Sequence, residues 1–493
     1  MTRVPAVAAL DVGTSAVKAL VVAADGRILG SGSVELRTSR PAPRHAEQEP
    51  EDWWRAAAGA LAACGPVRDG AQALAVTGQM QDLIFAGGKG VSRPAILYSD
   101  ARAGAEHDEI AAELGPEWSV RAGNEPDATS LPGKLRFLAR TEPGSLTSAD
   151  SLLLGAGGYL CWRATGVAAC DVTTASTTGL LDAGRRDWWP AAVDAAGAGG
   201  LLPKLVTGDS VTGDLGASAA AVLGLPAGIP VLLASGDAAS TTSGVVGDEL
   251  GTAYAYLGTS GWLAAVVDTA RRPPAAHRLL LPQPGQDLLI GAVLAAGGAA
   301  DWARRTLLPG TTPAAADRMA AGSGPSGLLA LPSLDGERYP LRNPDARGVF
   351  VGLTPSSTAP QMYRAVLEGV ALALASLLDA VPDRTGPLPV CGGGARSQLW
   401  LQILADVTGR PVVPLAPEDA GAAAAFGAAR TAWRAVTGRA PVPLAARGIG
   451  RTVQPGPDAA RYAALRPAYA ALYQALPDVF GALRSAARPT PPA

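Results

Sequence analysis

Short apolar runs separated by polar turns open the chain. Val7–Val12 and Val17–Ala23 are largely apolar, and an Asp-Gly pair leads from the second run into a third, Ile28–Glu35. An Asp-Gly pair between apolar runs is a strong signal for a β-hairpin. The pattern therefore predicts three short strands at the N-terminus.

Helical patterns alternate with strand patterns farther along the chain. Acidic residues precede an Ala-rich periodic run in "EQEPEDWWRAAAGALAACG", which is the usual start of a helix. A buried strand is predicted for "ALAVTGQM", and further helices for "PQMYRAVLEGVALALASLLDAV" and "DAGAAAAFGAARTAWRAVTG". Strands that alternate with helices predict an α/β architecture.

The tripeptide Gly-Thr-Ser occurs twice in the same context, between two apolar runs. The two copies lie in "AALDVGTSAVKALVV" and "YAYLGTSGWLAAVV". This repetition predicts two similar α/β halves, each opening with a hairpin, and a cleft between the halves. Glycine lets a ligand approach the backbone, and Thr and Ser add hydroxyl donors, so the two turns suit a nucleotide's phosphate tail. A purely structural turn is the alternative for either copy.

Two aspartates follow predicted strands and are candidates for the chemistry. Asp11 ends a buried strand beside the first Gly-Thr-Ser, where a carboxylate is costly unless it meets a cation or several donors. Mg²⁺ bound to nucleotide phosphates would be such a cation, and a capping or turn role is the alternative. Asp237 follows a strand and a glycine, so it is expected at the C-terminal edge of a sheet, where α/β proteins bind ligands. There it could accept a proton from an attacking hydroxyl.

A triple glycine in "CGGGARSQLWLQILAD" follows another predicted strand, and a helix is expected to open near Ser397. Bare backbone of this kind lets the planar base of a nucleotide lie close to the chain. A plain turn is the alternative. Together with the two Gly-Thr-Ser turns, the motif favours an adenosine contact.

Composition narrows the class of protein. At 493 residues the chain is too long for one ordinary core, so two or more domains are expected. A net charge of −2 without a basic stripe argues against nucleic acid or an anionic membrane as partner. The four cysteines lack metal-ligand spacing and are expected to be buried reduced thiols. With no signal-peptide pattern and no long apolar run, we expect a cytoplasmic protein.

An ordered set of motifs carries a resemblance to a known family. The motifs are "ALDVGTSAVKALVV", "VTGQMQDL", "RPAILYSDAR", "SGDAASTTSGVV", "YLGTSG", "LPSLDGERYP", "GVFVGLT", "RAVLEGVALAL" and "CGGGARSQLWLQILADVTGRPV". From about residue 6 to about residue 475, this set resembles the FGGY family of carbohydrate kinases, in its xylulokinase-like branch. The resemblance implies two actin-like (ribonuclease H-like) ATPase domains and ATP-dependent phosphorylation of a sugar hydroxyl, most simply of a pentulose such as D-xylulose. It implies domains at 1–234 (sugar and first phosphate turn) and 235–485 (catalytic aspartate and ATP), before a disordered tail, 486–493.

The resemblance also assigns roles to individual residues. Asp237 resembles the catalytic base and Asp11 the magnesium-linked aspartate, with Asp237 a second candidate metal-linked carboxylate. The nucleotide positions, including both phosphate turns, are Gly13, Thr14, Ser15, Lys18, Gly258, Thr259, Gly297, Gly393, Gly394, Ala395 and Gln398. The sugar positions are Gln79, Met80, Gln81, Asp100 and Arg102, together with Asp237. ATP and Mg²⁺ are the implied cofactors.

The departures from the xylulokinase pattern lie in the sugar segments. The usual Gly-Gln-Met-His-Gly is here Gly-Gln-Met-Gln81-Asp82, and the usual Trp-Asn-Asp begins here with Tyr98. Ala238 replaces the Asn that usually follows the base. Since buried polar groups discriminate strongly between substrates, another ketose, an alditol or a sugar acid is an open alternative. A non-catalytic sugar sensor and a chaperone-like actin-fold ATPase are further alternatives, and a homodimer is possible.

Overall fold

The computed structural model describes residues 4–88, 90–271, 273, 275–381, 386–447 and 451–487. Contacts divide the chain into two compact units. The first unit comprises residues 1–247, 278–287 and 421–443, and the second comprises residues 248–277, 288–420 and 444–493. Each unit has its own hydrophobic core, as the chain length predicted.

The first unit contains the first fifteen strands and ten helices that the structure describes. The strands are β1 (Ala6–Val12), β2 (Ala16–Ala23), β3 (Ile28–Glu35), β4 (Glu47–Gln48), β5 (Ala71–Gly78), β6 (Met80–Gly87), β7 (Gly90–Val91), β8 (Ala95–Ile96), β9 (Ser151–Gly155), β10 (Ala169–Asp171), β11 (Leu181–Asp182), β12 (Asp187–Trp188), β13 (Lys204–Val206), β14 (Val211–Asp214) and β15 (Pro230–Leu233). The helices are α1 (Pro50–Ala63), α2 (Gly104–Leu114), α3 (Glu117–Ala122), α4 (Leu131–Thr141), α5 (Pro143–Thr147), α6 (Ala156–Thr165), α7 (Val172–Ala175), α8 (Pro190–Ala196), α9 (Ala217–Leu223) and α10 (Asp237–Val246).

The main sheet of the first unit has the order β14-β15-β5-β1-β2-β3. β15, β5 and β1 are parallel, whereas β1, β2 and β3 form the predicted antiparallel series. Because parallel strands end at one edge, the residues that follow β5 and β15 lie near the end of β1. This edge gathers Asp11, Gln79 and Asp237.

Local sequence accounts for the first helix, which confirms the prediction made from its acidic start. Pro50 occupies the first turn of α1, and Glu51 and Asp52 complement the helix dipole there. Trp53 and Leu61 lie on the buried face and pack into the core of the first unit. The two tryptophans of this helix are thus core anchors.

The second half of the chain contains the remaining elements. Its strands are β16 (Ala253–Leu257), β17 (Gly261–Asp268), β18 (His277–Leu280), β19 (Gln286–Val293), β20 (Leu329–Leu331), β21 (Val349–Val351), β22 (Leu388–Cys391) and β23 (Val412–Pro414). Its helices are α11 (Gly297–Leu307), α12 (Pro313–Gly322), α13 (Ala359–Ala375), α14 (Gln398–Thr408), α15 (Pro417–Thr437), α16 (Ala459–Ala475) and α17 (Pro477–Ala487). Most of β18, the start of β19 and all of α15 beyond residue 420 are grouped with the first unit by their contacts.

The sheet that opens the second half of the chain repeats the first. Its order is β18-β19-β17-β16-β22-β23, so β16 takes the place of β1, and β22 and β23 take the places of β5 and β15. β16 pairs antiparallel with β17 and parallel with β22, as β1 does with β2 and β5. This repetition confirms the predicted duplication and α/β class. The predicted cleft stays a prediction.

Among the described residues, one helix is long and apolar enough to be a candidate membrane span. It runs from Ala359 to Ala380, through α13 and the short 3₁₀ turn that follows. Its apolar window is 83% buried inside the protein. That burial is typical of the core helix of a globular domain, and α13 forms the centre of the second core.

The first compact unit extends beyond the last strand of its sheet. The compact first unit continues to Gly247 and includes α10, so it contains Asp237. The division into 1–234 and 235–485 stays a prediction about domains. Of the predicted disordered tail, residues 486 and 487 end α17 and residues 488–493 lie outside the described residues. All four cysteines are buried free thiols, as predicted.

Candidate active site

The first Gly-Thr-Ser turn, Gly13–Ser15, joins β1 to β2 as predicted. Thr14 Oγ1 donates to Gln79 Oε1 at 2.8 Å, and Gln48 Nε2 donates to the Thr14 carbonyl at 2.7 Å. Gln79 Nε2 in turn donates to Gln48 Oε1 at 3.1 Å. Both glutamines are buried, so this small network fixes the turn against the residue that follows β5.

Lys18, predicted to accompany this turn at the nucleotide, lies on β2 directly opposite Asp11. Its Nζ donates to the carbonyl of Gly421 at 2.8 Å. Gly421 lies in the first turns of α15. The phosphate role of Lys18 stays a prediction, and its ammonium group has further N–H donors besides the one that this carbonyl accepts.

Asp11 is a buried carboxylate, 7% exposed, near the end of β1. Its Oδ1 is buried and has no hydrogen-bond partner within the part of the chain that the structure describes. Burial raises the pKa of Asp11 to about 6, and the charge of Lys18 opposes the shift. A buried, partly unsatisfied carboxylate of this kind is costly in the ionised form unless a cation approaches it.

Asp237 begins α10, where the helix dipole favours a negative charge. Two hydroxyl groups anchor the residues before it: Thr77 Oγ1 and Ser240 Oγ donate to the carbonyl of Ser235 at 2.7 and 2.6 Å. Burial of the carboxyl raises the pKa of Asp237 to about 7, and the charge of Asp11 adds to the shift. A carboxyl that titrates near neutrality is a stronger base than an ordinary aspartate and suits proton transfer at physiological pH.

The donor set fits Mg²⁺ held largely through water and phosphate oxygens. Among the described residues, no group of three or more His, Cys, Asp or Glu side chains could hold a metal ion alone. The charge of Asp11 raises the pKa of Asp237, and the unpaired Oδ1 of Asp11 offers a ligand atom. Mg²⁺ commonly keeps several waters and takes one or two carboxylates beside substrate phosphates.

The predicted sugar segment begins at the same sheet edge. Met80 packs against the glycine that precedes Asp237, since a Cβ added at Gly236 would lie 2.1 Å from the Met80 sulfur. Gln81 has a positive φ of 63°, which is uncommon for a residue with a side chain, and its Nε2 donates to the carbonyl of Thr129 at 2.9 Å. The strained backbone therefore lies at Gln81, one of the residues that departs from the family pattern.

Asp82, the second departure, is fully buried. Its Oδ1 accepts the amide of Tyr98 at 3.2 Å, and its Oδ2 has no hydrogen-bond partner among the described residues. Burial raises the pKa of Asp82 well above its usual range, while the Tyr98 amide and the charge of Lys134 oppose the shift. Lys134 is equally buried, and burial lowers its pKa to about 8.

Asp100 and Arg102 form an ion pair within the protein. Arg102 donates to Asp100 Oδ2 and to Glu47 Oε1, each at 2.7 Å, and the amide of Ala46 donates to Asp100 Oδ2 at 2.6 Å. Burial alone would raise the pKa of Asp100, but the hydrogen bonds from Arg102 and Ala46 outweigh it and lower the pKa. Because these side chains are engaged with each other, their predicted contact with a sugar stays a prediction.

In the second unit, the second Gly-Thr-Ser turn joins β16 to β17 and packs on the start of α11. The amide of Gly297 donates to the carbonyl of Gly258 at 2.8 Å, and the amide of Gly298 donates to that of Thr259 at 2.9 Å. A Cβ at Gly297 would lie 2.5 Å from the Gly258 carbonyl oxygen, so only glycine fits. The structure therefore brings three predicted nucleotide residues together: Gly258, Thr259 and Gly297.

The triple glycine lies beside the same turn. Gly392 has a φ of 90°, and a Cβ there would lie 2.6 Å from the carbonyl of Leu257, the last residue of β16. Gly393, Gly394 and Ala395 follow in a 3₁₀ turn, and exposed Gln398 begins α14. Ser397 caps α14 by accepting the amide of Trp400 at 3.0 Å, which confirms the predicted helix start. The predicted nucleotide residues of this unit thus converge.

Sequence analysis missed three residues that hold the first unit's site. Gln48 supports the first turn, Thr129 holds the strained Gln81, and Asp171 accepts the amide of Gly236 at 3.1 Å. Asp171 is itself a preferred helix-cap residue and accepts the backbone amide of Thr174, but a cap signal does not predict a bond to the distant Gly236. The other two lie in loops or short strands without a pattern.

The two repeated α/β units, with paired glycine turns, buried Asp11 and partly buried Asp237, define a nucleotide-dependent phosphotransferase of the actin-like type. Residues 6–244 match the N-terminal domain of the FGGY family of carbohydrate kinases, and residues 253–436 match its C-terminal domain. The chain belongs to this family and is a carbohydrate kinase, and FGGY kinases use ATP as substrate.

Individual relatives agree with this placement. The xylulose kinase of Escherichia coli (strain K12) is 34% identical over 484 residues, which cover 95% of this chain and 98% of that protein. The crystal structure of a xylulose kinase from Rhodospirillum rubrum is 29% identical, with a TM-score of 0.84 over 97% of this chain and 100% of that one. A gluconate kinase from Lactobacillus acidophilus has the same TM-score, 0.84, at 25% identity over 97% of this chain and 99% of that one.

Proposed function

We propose that this kinase transfers the γ-phosphoryl group of ATP to a hydroxyl of a pentulose such as D-xylulose. The observation that carries the proposal is a pair of aspartates at one sheet edge beside the first Gly-Thr-Ser turn, the buried Asp11 and the partly buried Asp237. The similarity to a xylulose kinase along almost the whole chain supports the choice of sugar.

Asp237 acts as the general base in this proposal. Its raised pKa lets it accept the proton of the attacking sugar hydroxyl near pH 7, a role worth roughly 10²–10⁴ in rate. The hydrogen bonds to Ser235 and Gly236 fix the chain before it, so the carboxyl is oriented before the substrate arrives. Phosphoryl transfer otherwise needs mainly positioning and neutralisation of charge.

The nucleotide is bound by the glycine turns. In this proposal Gly13–Ser15 and Lys18 bind phosphate oxygens, and Gly258, Thr259 and Gly297 are further nucleotide-binding residues. The segment 393–395 and Gln398 border the adenosine. Asp11, with Asp237 as a second carboxylate, would hold Mg²⁺, which when bound neutralises charge on the phosphate oxygens.

A second candidate substrate is another ketose, an alditol or a sugar acid. The observation in its favour is the altered segment at Gln81 and Asp82, where a strained backbone and a buried carboxylate stand in place of the usual His and Gly. A change of polar groups in such a pocket alters the choice of substrate strongly. The fold also supports other acceptors, since a gluconate kinase shares it.

The proposal extends to partners and location. We expect a small-molecule sugar as the only partner besides ATP, with neither nucleic acid nor membrane, in the cytoplasm. A homodimer is the assembly to test, and light scattering of the purified protein would decide it. We also keep the division into a sugar-binding domain, 1–234, and an ATP-binding domain, 235–485, as part of the proposal.

The test is ADP release from Mg·ATP across a panel of ketoses, alditols and sugar acids, with Asp237→Ala as control. The proposal expects the highest kcat/KM for D-xylulose and a loss of roughly 10²–10⁴ in the variant. A clear preference for another sugar would retain the mechanism and change the substrate. Silence across the panel with ATP still bound would favour a nucleotide-gated sensor.

A further inference from the structure

Asp171 is a buried carboxylate that no motif assigned to the reaction. It is 3% exposed and ends β10. Its Oδ1 accepts two backbone amides, that of Thr174 at 2.9 Å and that of Gly236 at 3.1 Å. The first bond is an ordinary helix cap, whereas the second reaches the residue immediately before Asp237.

The loop that Asp171 holds is fixed from other directions as well. Thr77 and Ser240 donate to the carbonyl of Ser235, and the Met80 sulfur lies against the α-carbon of Gly236. Gly236 is buried, so its amide would lack a water partner if the carboxylate were removed. Asp171 therefore supplies one of the few bonds that set where α10 begins.

Two other roles fit Asp171 less well. As a cap alone it would stabilise only α7, a helix of four residues, and that needs no bond to Gly236. As a metal ligand it would have to join Asp11 and Asp237, but no group of three such side chains close enough to hold an ion is present in the described part of the chain. The bond to Gly236 points instead to the geometry of the neighbouring residue.

We propose that Asp171 is a positioning residue for phosphoryl transfer, which through Gly236 sets the place of the Asp237 carboxyl. This inference rests on the proposed role of Asp237 as the general base. A base displaced by about 1 Å loses on the order of 100-fold in rate, whereas a distant ATP contact is unaffected.

The test compares two substitutions of Asp171 in the full chain. Asp171→Asn retains a carbonyl oxygen that can accept both amides, and Asp171→Ala removes it. We expect kcat to fall about 100-fold in Asp171→Ala and to stay within about fivefold of wild type in Asp171→Asn. The KM for ATP should stay within about threefold in both variants, because the glycine turns are not altered.

Asp182→Ala is the matched control. Asp182 lies in the same unit, is also 3% exposed, and accepts two backbone amides through Oδ1, those of Gly184 and Arg185, each at 3.0 Å. Its loss should lower the melting temperature while kcat per folded molecule stays within about twofold. A kcat in Asp171→Ala within threefold of wild type, or an equal loss in Asp182→Ala or in Asp171→Asn, would overturn the inference.

Asp237→Ala separates this failure from failure of the proposed function. If Asp237→Ala is inactive while Asp171→Ala is fully active, Asp237 remains the base and the positioning role is wrong. If Asp237→Ala retains wild-type turnover, the general-base role itself is wrong. In that case the inference about Asp171 falls with it.

Discussion

The contact between α10 and α15 offers a quantitative test of how the site is held. The two helices meet at Gly244 and Gly427, and no side chain separates their backbones there. A Cβ added at Gly427 would lie 1.8 Å from the carbonyl oxygen of Ser240 and 3.0 Å from the amide nitrogen of Gly244. Because real Cβ atoms essentially never come within 3.0 Å of such atoms, Gly427→Ala must separate the helices by at least 1.2 Å, the difference 3.0 − 1.8.

The separation should cost both stability and activity. Inserting one methyl group into a packed core costs about 1–3 kcal/mol, and the upper value applies here because backbone atoms cannot rotate aside. For a unit of roughly 280 residues, with an unfolding entropy of about 2.1 cal/mol/K per residue, about 3 kcal/mol lowers the melting temperature by about 5 °C. Since α10 begins with Asp237, a shift of about 1 Å should also lower kcat on the order of 100-fold.

The assay is thermal unfolding of purified Gly427→Ala, followed by steady-state kinetics at a temperature where the variant is folded. Gly421→Ala is the matched control on the same helix. An added Cβ at Gly421 meets no heavy atom within 4 Å, and alanine favours helix by about 1 kcal/mol over glycine. The control should therefore melt at the wild-type temperature or slightly above it.

The reasoning would be refuted if Gly427→Ala melted within 2 °C of wild type with unchanged kcat. A loss of stability with unchanged kcat would refute only the link from the helix contact to Asp237. Equal destabilisation by Gly421→Ala would show that the helix tolerates no alanine for reasons unrelated to this contact.

Three further predictions concern charge and packing. The folded pKa of Asp11, about 6, lies above its usual unfolded value of about 3.9, so its effect on stability is favourable below pH 4 and is lost as pH rises to 6. Asp11→Asn should therefore stabilise the metal-free protein by up to about 3 kcal/mol at pH 8 and should not stabilise it at pH 4. Denaturant midpoints that are equal for wild type and Asp11→Asn at both pH values would contradict this. Gly297→Ala, which forces a Cβ onto the Gly258 carbonyl, should raise the KM for ATP about tenfold and leave the KM for sugar unchanged; a rise in the sugar KM alone would contradict it. Glu368→Ala leaves buried Arg364 without its carboxylate and should cost about 3–5 kcal/mol in denaturant unfolding, whereas a loss below 1 kcal/mol would show that the pair is dispensable.

The elements near the site were predictable because their signals are local. The Asp-Gly turn, the acidic start of α1 and the serine cap of α14 each depend on residues within one or two turns of chain. The two Gly-Thr-Ser turns also revealed the duplication, since each copy repeats the same short pattern. The strand-end position of Asp237 followed from the apolar run before it.

The hydrogen bonds that hold these elements in place were not predictable, because they join residues far apart in the chain. Gln48 meets Thr14 across 34 residues, and Asp171 meets Gly236 across 65, and neither pair has a spacing that a helix or strand would produce. The pairing of Asp100 with Arg102 was also hidden. Their residue types suited a sugar site. The structure shows instead that Arg102 donates hydrogen bonds to Asp100 and also to Glu47, which is distant in the chain.

The sequence by itself determined the class of fold and the repeated halves, and it supplied the candidate residues for phosphoryl transfer. These depend on periodicity and turn chemistry, which act over a few residues. Only the tertiary structure decided that α15 packs on α10 through two glycines, and which buried polar groups find partners. Such contacts join segments far apart in the chain, and a buried polar group must satisfy its hydrogen bonds wherever the fold brings a partner.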